Sequence, residues 1–188
     1  MKKIDVSNMN GDMQSSPYLT YGIQEVEIKD FVVNEQGSIP SMDLTMTDFS
    51  GTKSASSRFY FPEGAEEADT KTYQRSVYQI KHIATKVVNS TEFDQAYEMS
   101  ANLSQFAINL NKLLAGKRLR IKFSGKEIAG KDGKQNWFKA VISGMNFAES
   151  LSTNPTKLKF DPNNQYDVKR LTVPTDMSTV SIPVTAPF

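Results

Sequence analysis

Along this chain apolar and polar residues alternate, lose phase, pass into a helical repeat and return to alternation. The run from Tyr21 to Val33 is rich in β-branched and aromatic residues, and its apolar set changes parity twice. Tyr21 and Ile23 are odd, Val26 and Ile28 even, Phe31 and Val33 odd again. Each slip would carry the apolar side chains to the opposite face. The pattern predicts a strand with bulges, bending around a barrel. Asn34 to Gly37 supply a turn. Met42, Leu44 and Met46 then alternate with Asp43, Thr45 and Thr47, a half-buried strand. Asp48-Phe-Ser-Gly51 turns the chain. Ala55, Ser57, Phe59 and Phe61 alternate with Ser56, Arg58 and Tyr60 until Pro62, which has no N–H for a ladder.

After Gly64 the period changes. Tyr73, Val77, Ile80, Ala84 and Val87 fall at helical spacing, predicting a helix over roughly 69–88. Ser90 or Thr91 is a candidate N-cap for a second stretch. Its stripe runs through Phe93, Tyr97, Leu103, Phe106 and Leu110, with a break between Ser100 and Ser104. Gly116 suits the left-handed position after the last turn. Leu119, Ile121 and Phe123 then alternate with Arg118, Arg120 and Lys122. Gly125 to Asn136 reads as a polar loop, and Trp137 to Phe147 as a fifth strand. Both faces of that strand are largely apolar, which predicts a central strand or one that closes a barrel.

The order is three strands, helices, two strands. It predicts a mainly β protein with a helical insertion: an OB-fold, a five-stranded Greek-key barrel with helices between strands three and four. Residues 1–17 read as a flexible N-terminal arm. Residues 18–149 form the OB-fold domain, with the helical insertion at about 68–116. Residues 150–188 carry five of the eight prolines and read as an extended tail.

Charge adds what periodicity lacks. Lys and Arg total 22 against 21 Asp and Glu, a net charge of +1. Residues 112–139 nevertheless hold nine basic and two acidic residues, so that segment is +7 and the rest of the chain −6. Segregation of this kind is the footprint of a polyanion binder. Arg118, Arg120 and Lys122 share one strand face, and Lys126, Lys131 and Lys134 fall on the following loop. Trp137 and Lys139 share a face of the fifth strand, as do Arg58 and Tyr60 on the third. Cations following phosphates beside rings that stack on bases are the usual combination for single-stranded nucleic acid. The competing reading of the same strand is a solvated barrel face, its Lys stems covering apolar surface. Trp137 as a core residue is a further alternative.

Other chemistry is thin. With no Cys, the chain has no disulfide, thiolate zinc site or cysteine nucleophile. Its one histidine, His82, excludes mechanisms that need two. Gly125-Lys-Glu-Ile-Ala-Gly130-Lys131 begins like a P-loop, but Asp132 stands where Ser or Thr belongs and a strand follows. The acidic run Glu63 to Asp69 reads as a loop leading into a helix N-terminus. No metal, cofactor or enzymatic activity is expected. No apolar run approaches the ~20 residues that span a bilayer, and no apolar stretch follows the basic start as in a secretory signal. A cytoplasmic protein is expected, in the host cell if viral.

Residues 18–149 resemble phage-type single-stranded-DNA-binding proteins with an OB-fold. The resemblance is carried by Tyr18-Leu-Thr-Tyr-Gly-Ile-Gln-Glu-Val-Glu-Ile28 and by Arg58-Phe-Tyr-Phe61 before the helices. Lys117-Arg-Leu-Arg-Ile-Lys-Phe123, ahead of Trp137-Phe-Lys-Ala-Val-Ile142, completes it. It implies a non-enzymatic protein that coats exposed strands in replication, recombination or repair. The implied partners are single-stranded DNA, or RNA, and replication or recombination proteins. The alternative is a protein-interaction or virion-structural module, supported by the long helical insertion and by the Met and Phe content.

Overall fold

The computed structural model describes residues 17–130, 136–142, 144 and 146–171. In chain order the elements are β1 (Gly22–Asn34), β2 (Ser41–Thr47), β3 (Ser54–Tyr60), α1 (Glu67–Ala84), α2 (Ser90–Glu98), α3 (Leu103–Leu114), β4 (Arg118–Ile128), β5 (Trp137–Ile142), β6 (Ala148–Glu149) and β7 (Val168–Lys169). The sheet is mostly antiparallel and runs β3-β2-β1-β4-β5; β6 pairs antiparallel and β7 parallel with β4. β3 and β5, at the two ends of this order, lie beside each other without a ladder. The arrangement is an open, curled sheet of OB-like character.

Alternation decides the core. Met42, Leu44 and Met46 from β2, and Leu119, Ile121 and Phe123 from β4, are fully buried on the inner face. Val26, Ile28 and Phe31 join them from β1. Of the two phase slips along β1, one is a bulge: the ladder to β2 shifts register between Ile28 and Asp30. The other is not. Gly22 to Glu27 pair with β4 without interruption, and Ile23 lies opposite Lys122 on the outer face.

Beyond the bulge β1 leaves β4, and its free edge needs other partners. The Gly116 N–H donates to the Ile28 carbonyl at 2.8 Å. Asn111 on α3 acts as a substitute strand: its Oδ1 accepts from the Phe31 N–H at 2.7 Å and its Nδ2 donates to the Phe31 carbonyl at 2.9 Å. Gly116 has φ +77°, which permits the sharp exit from α3 into β4. The N-cap of α2 is Asn89, one residue before the expected Ser90 or Thr91. Its side chain accepts from the Thr91 N–H, and Glu92 reaches back to the Asn89 N–H, a capping box.

Three further expectations differ from the structure. β4 continues through Gly125 to Ile128, pairing Lys126 with Lys139 and Ile128 with Trp137, so Lys126 lies on a strand and not on a loop. β5 is the last strand of the hydrogen-bonded order and lies beside β3, so of its two expected places the central one is excluded and the closing one is not. Residues 150–171, expected in an extended tail, fold back along β4 as a strap that ends in β7, with the Gly125 N–H donating to the Asp167 carbonyl at 2.8 Å. Residues 1–16 and 172–188 of the expected arm and tail lie outside the described residues. Among the described residues no helix is long and apolar enough to cross a membrane.

Candidate nucleic-acid interface

The outer face of β4 carries Arg118, Arg120, Lys122, Ser124 and Lys126, as alternation requires. Pairing decides what stands beside each of them. β1 places Glu27 opposite Arg118 and Glu25 opposite Arg120, and β6 places Glu149 opposite Arg120 on the other side. Arg118 Nε donates to Glu27 at 3.0 Å and its guanidinium lies 4.6 Å from the Phe49 ring centroid. Arg120 bonds Glu149 at 2.6 Å, Glu25 at 2.9 Å and the Thr153 carbonyl at 3.1 Å, leaving its side chain 17% exposed. Lys122 donates to the nearly buried Asp167 at 2.8 Å. On β3, Arg58 makes a two-pronged bond to Asp43, both contacts 2.7 Å.

These cations are engaged within the fold, and their partners' titration reflects it. The hydrogen bonds that Arg120 donates to Glu149 and Glu25 raise its pKa, and the bonds that Arg58 donates to Asp43 raise that of Arg58. Burial alone would raise the Asp167 and Glu149 carboxyls. Lys122 and the Asp161 amide outweigh it at Asp167; Thr156, Arg120 and the Lys157 amide outweigh it at Glu149. Both carboxyls end below their ordinary values.

Farther along β4 the picture reverses. Lys126 pairs with Lys139 on β5 and with Lys169 on β7. Three lysines therefore stand in register across three adjacent strands, all exposed on the outer face, and among the described residues none has a carboxylate partner. Trp137, two residues from Lys139 on the same face, is 50% exposed. That placement excludes the core alternative for Trp137. Tyr60 is 45% exposed at the end of β3, beside Arg58. Lys131 and Lys134 lie outside the described residues.

No protein-family model and no curated protein matches the chain. Among solved structures it is similar to a chain of yeast RPA bound to ssDNA, with 8% identity and a TM-score of 0.35, over 81% of this chain and 90% of that one. A likeness of that size decides neither fold nor function.

The structure thus brings together Lys126, Trp137 and Lys139 from the sequence-predicted set, and adds Lys169. It separates from them Arg58, Arg118, Arg120 and Lys122, which are held by acidic neighbours. Lys169 is missed by sequence reading because residues 150–171 show no long strand period; β7 is two residues long. Turn chemistry was the available signal: Asp161-Pro-Asn-Asn164 is a strong chain-reversal sequence. Behind the row, Gly125 is fixed by packing. A Cβ there would meet the Tyr21 ring at 2.9 Å and the Phe138 ring at 3.4 Å.

Proposed function

We propose that this protein binds single-stranded DNA without strong sequence preference, and that it coats exposed strands during replication, recombination or repair rather than catalysing a reaction. The observation that carries this reading is the register of Lys139, Lys126 and Lys169. Like charges set directly opposite one another on adjacent strands destabilise a sheet. A row of three gains a purpose when a phosphate backbone lies across it. Trp137 beside the row supplies a stacking surface that every base can use. The strand order β3-β2-β1-β4-β5, with β3 beside β5, supports the five-stranded OB-fold form of the reading, in which the strand 4–5 hairpin contributes to the binding surface.

The test is a titration with oligo(dT), following the fluorescence of Trp137, the only tryptophan. Quenching is expected, weakening steeply with salt at a log–log slope of about −0.7 per phosphate neutralised. A gel shift run in parallel detects binding that leaves the tryptophan silent. Absence of binding at low salt by both methods refutes the reading and favours the protein-interaction alternative.

A further inference from the structure

The strap between β6 and β7 presents an aromatic ring that the lysine row does not explain. Tyr166 is 79% exposed, and the turn that carries it is pinned on every side. Its N–H donates to Asn164 Oδ1 at 2.9 Å, and its carbonyl accepts from Ser124 Oγ on β4. The neighbouring Asp167 is buried, takes the Lys122 ammonium on one oxygen and the Asp161 N–H on the other, and donates its own N–H to the Asn164 carbonyl. A lone exposed tyrosine is ordinary on a protein surface. A tyrosine held at the tip of a hydrogen-bonded turn is preorganised: it binds without the cost of ordering a mobile loop.

Its surroundings fit a nucleotide. Tyr166 lines a cleft of about 350 Å³ together with Lys122, Ser124, Lys126, Gln165 and Lys169. It also lines a cleft of about 650 Å³ with Pro162, Asn163, Lys169 and Arg170. Both lie in the roughly 300–1,000 Å³ range of small-molecule sites. In the smaller cleft Lys122 is committed to Asp167, which leaves Lys126 and Lys169 as the cations facing it.

We propose that Tyr166 is a base-stacking platform, and that the cleft it shares with Lys126 and Lys169 holds one nucleotide of a single strand, the ring taking the base and the two ammonium groups the phosphate. This rests on the single-stranded-DNA reading and extends it from β5 across β4 to the strap. The bound strand then runs across the three sheet strands from Trp137 toward Tyr166, instead of along β4 past Arg118 and Arg120.

The experiment moves the fluorophore. In the double variant Trp137→Phe, Tyr166→Trp the only tryptophan sits on the strap, and oligo(dT) should quench it with the salt dependence seen for Trp137 in the parent. Separately, Tyr166→Ala should weaken oligo(dT) binding by about 5- to 140-fold, the equivalent of one stacked base, with an unchanged salt slope. Tyr166→Phe should bind like the parent, because the ring and not the hydroxyl acts. Lys169→Gln should flatten the salt slope by about 0.7. If the parent binds and quenches through Trp137 while the strap tryptophan stays silent and Tyr166→Ala binds unchanged, the strap subsite is overturned and the function stands. If the parent binds no oligo(dT), both fall together.

Discussion

Replacing Lys126, the middle member of the lysine row, by Gln should make the protein more stable and a weaker binder. Lys126 faces Lys139 on one side and Lys169 on the other. Side chains opposite each other across strands start about 5 Å apart, and flexible stems let the ammonium groups spread to about 6 Å. At that distance two unit charges in water repel by about 0.7 kcal/mol. Screening at physiological ionic strength, with a Debye length of about 8 Å, halves this. Two neighbours then give about 0.7 kcal/mol in total, or about 1–3 °C in melting temperature for a chain of this size. The gain should grow as salt is lowered and vanish in high salt. Oligo(dT) affinity should fall, with the salt slope smaller by about 0.7, so that the ratio of parent to variant affinity shrinks about 2.6-fold between 50 and 200 mM salt. Thermal melting and a salt-series titration on the same two proteins read both quantities. A variant that melts below the parent, or whose gain ignores salt, refutes the repulsive row. Unchanged affinity refutes its contact with phosphate.

Gly125→Ala should destabilise by about 1–3 kcal/mol, as overpacking does, because the added methyl runs into the Tyr21 ring; a denaturant midpoint equal to the parent's would show that the ring moves aside freely. Acid should loosen the strap. Asp167 and Glu149 are held below their ordinary pKa values, so the stability they contribute is complete above about pH 4.3 and is lost as pH falls through the lower, folded-state values. Asp48 behaves likewise, its carboxyl lowered to about 2 chiefly by the Lys53 amide, with help from Ser50 and Thr52. Melting temperatures at pH 5, 4 and 3 should therefore fall progressively, and less so in Asp167→Asn; a flat profile would contradict the pairings. Arg120→Gln should lower the melting temperature, since it strips the charged partner from the nearly buried Glu149 and leaves it only the Thr156 hydroxyl and the Lys157 amide, while oligo(dT) binding by the folded protein stays close to the parent's. Normal melting with lost binding would make Arg120 a direct DNA contact.

Where one face of a strand is buried, the sequence predicts the fold closely. β2, β3 and the first half of β4 alternate cleanly, and Met42, Leu44, Met46, Phe59, Leu119, Ile121 and Phe123 are all in the core. Gly116 also sits in the left-handed conformation its place after a helix suggests. Reading fails where a residue's environment comes from distant chain. Ile23 looks like a core residue by type, yet an unbroken ladder keeps it on the outer face opposite Lys122. Gly125 resembles a loop or phosphate-binding glycine, yet it is glycine because the Tyr21 and Phe138 rings close over it. Residues 150–171 look like a tail because their order comes from scattered side-chain and backbone hydrogen bonds to β4 rather than from an apolar period.

The interface shows the same division in electrostatic form. Summing charge along residues 112–139 finds the basic segment, but the field outside a protein depends on what lies beside each charge in space. Glu25 and Glu27 are 95 and 91 residues from Arg120 and Arg118 in sequence, and lie directly across a ladder from them in the sheet. Their carboxylates cancel the part of the segment that alternates most convincingly. The same segment's least conspicuous lysine, Lys126, gains its importance from Lys139 and Lys169 on neighbouring strands. A sheet held by complementary pairs at one end of β4 can carry an uncompensated row at the other. The pairs at Arg118, Arg120 and Lys122 tie β1, β6 and the strap to β4, and those ties hold Lys126, Lys139 and Lys169 in register against their mutual repulsion, which is the placement the proposed single-strand reading requires.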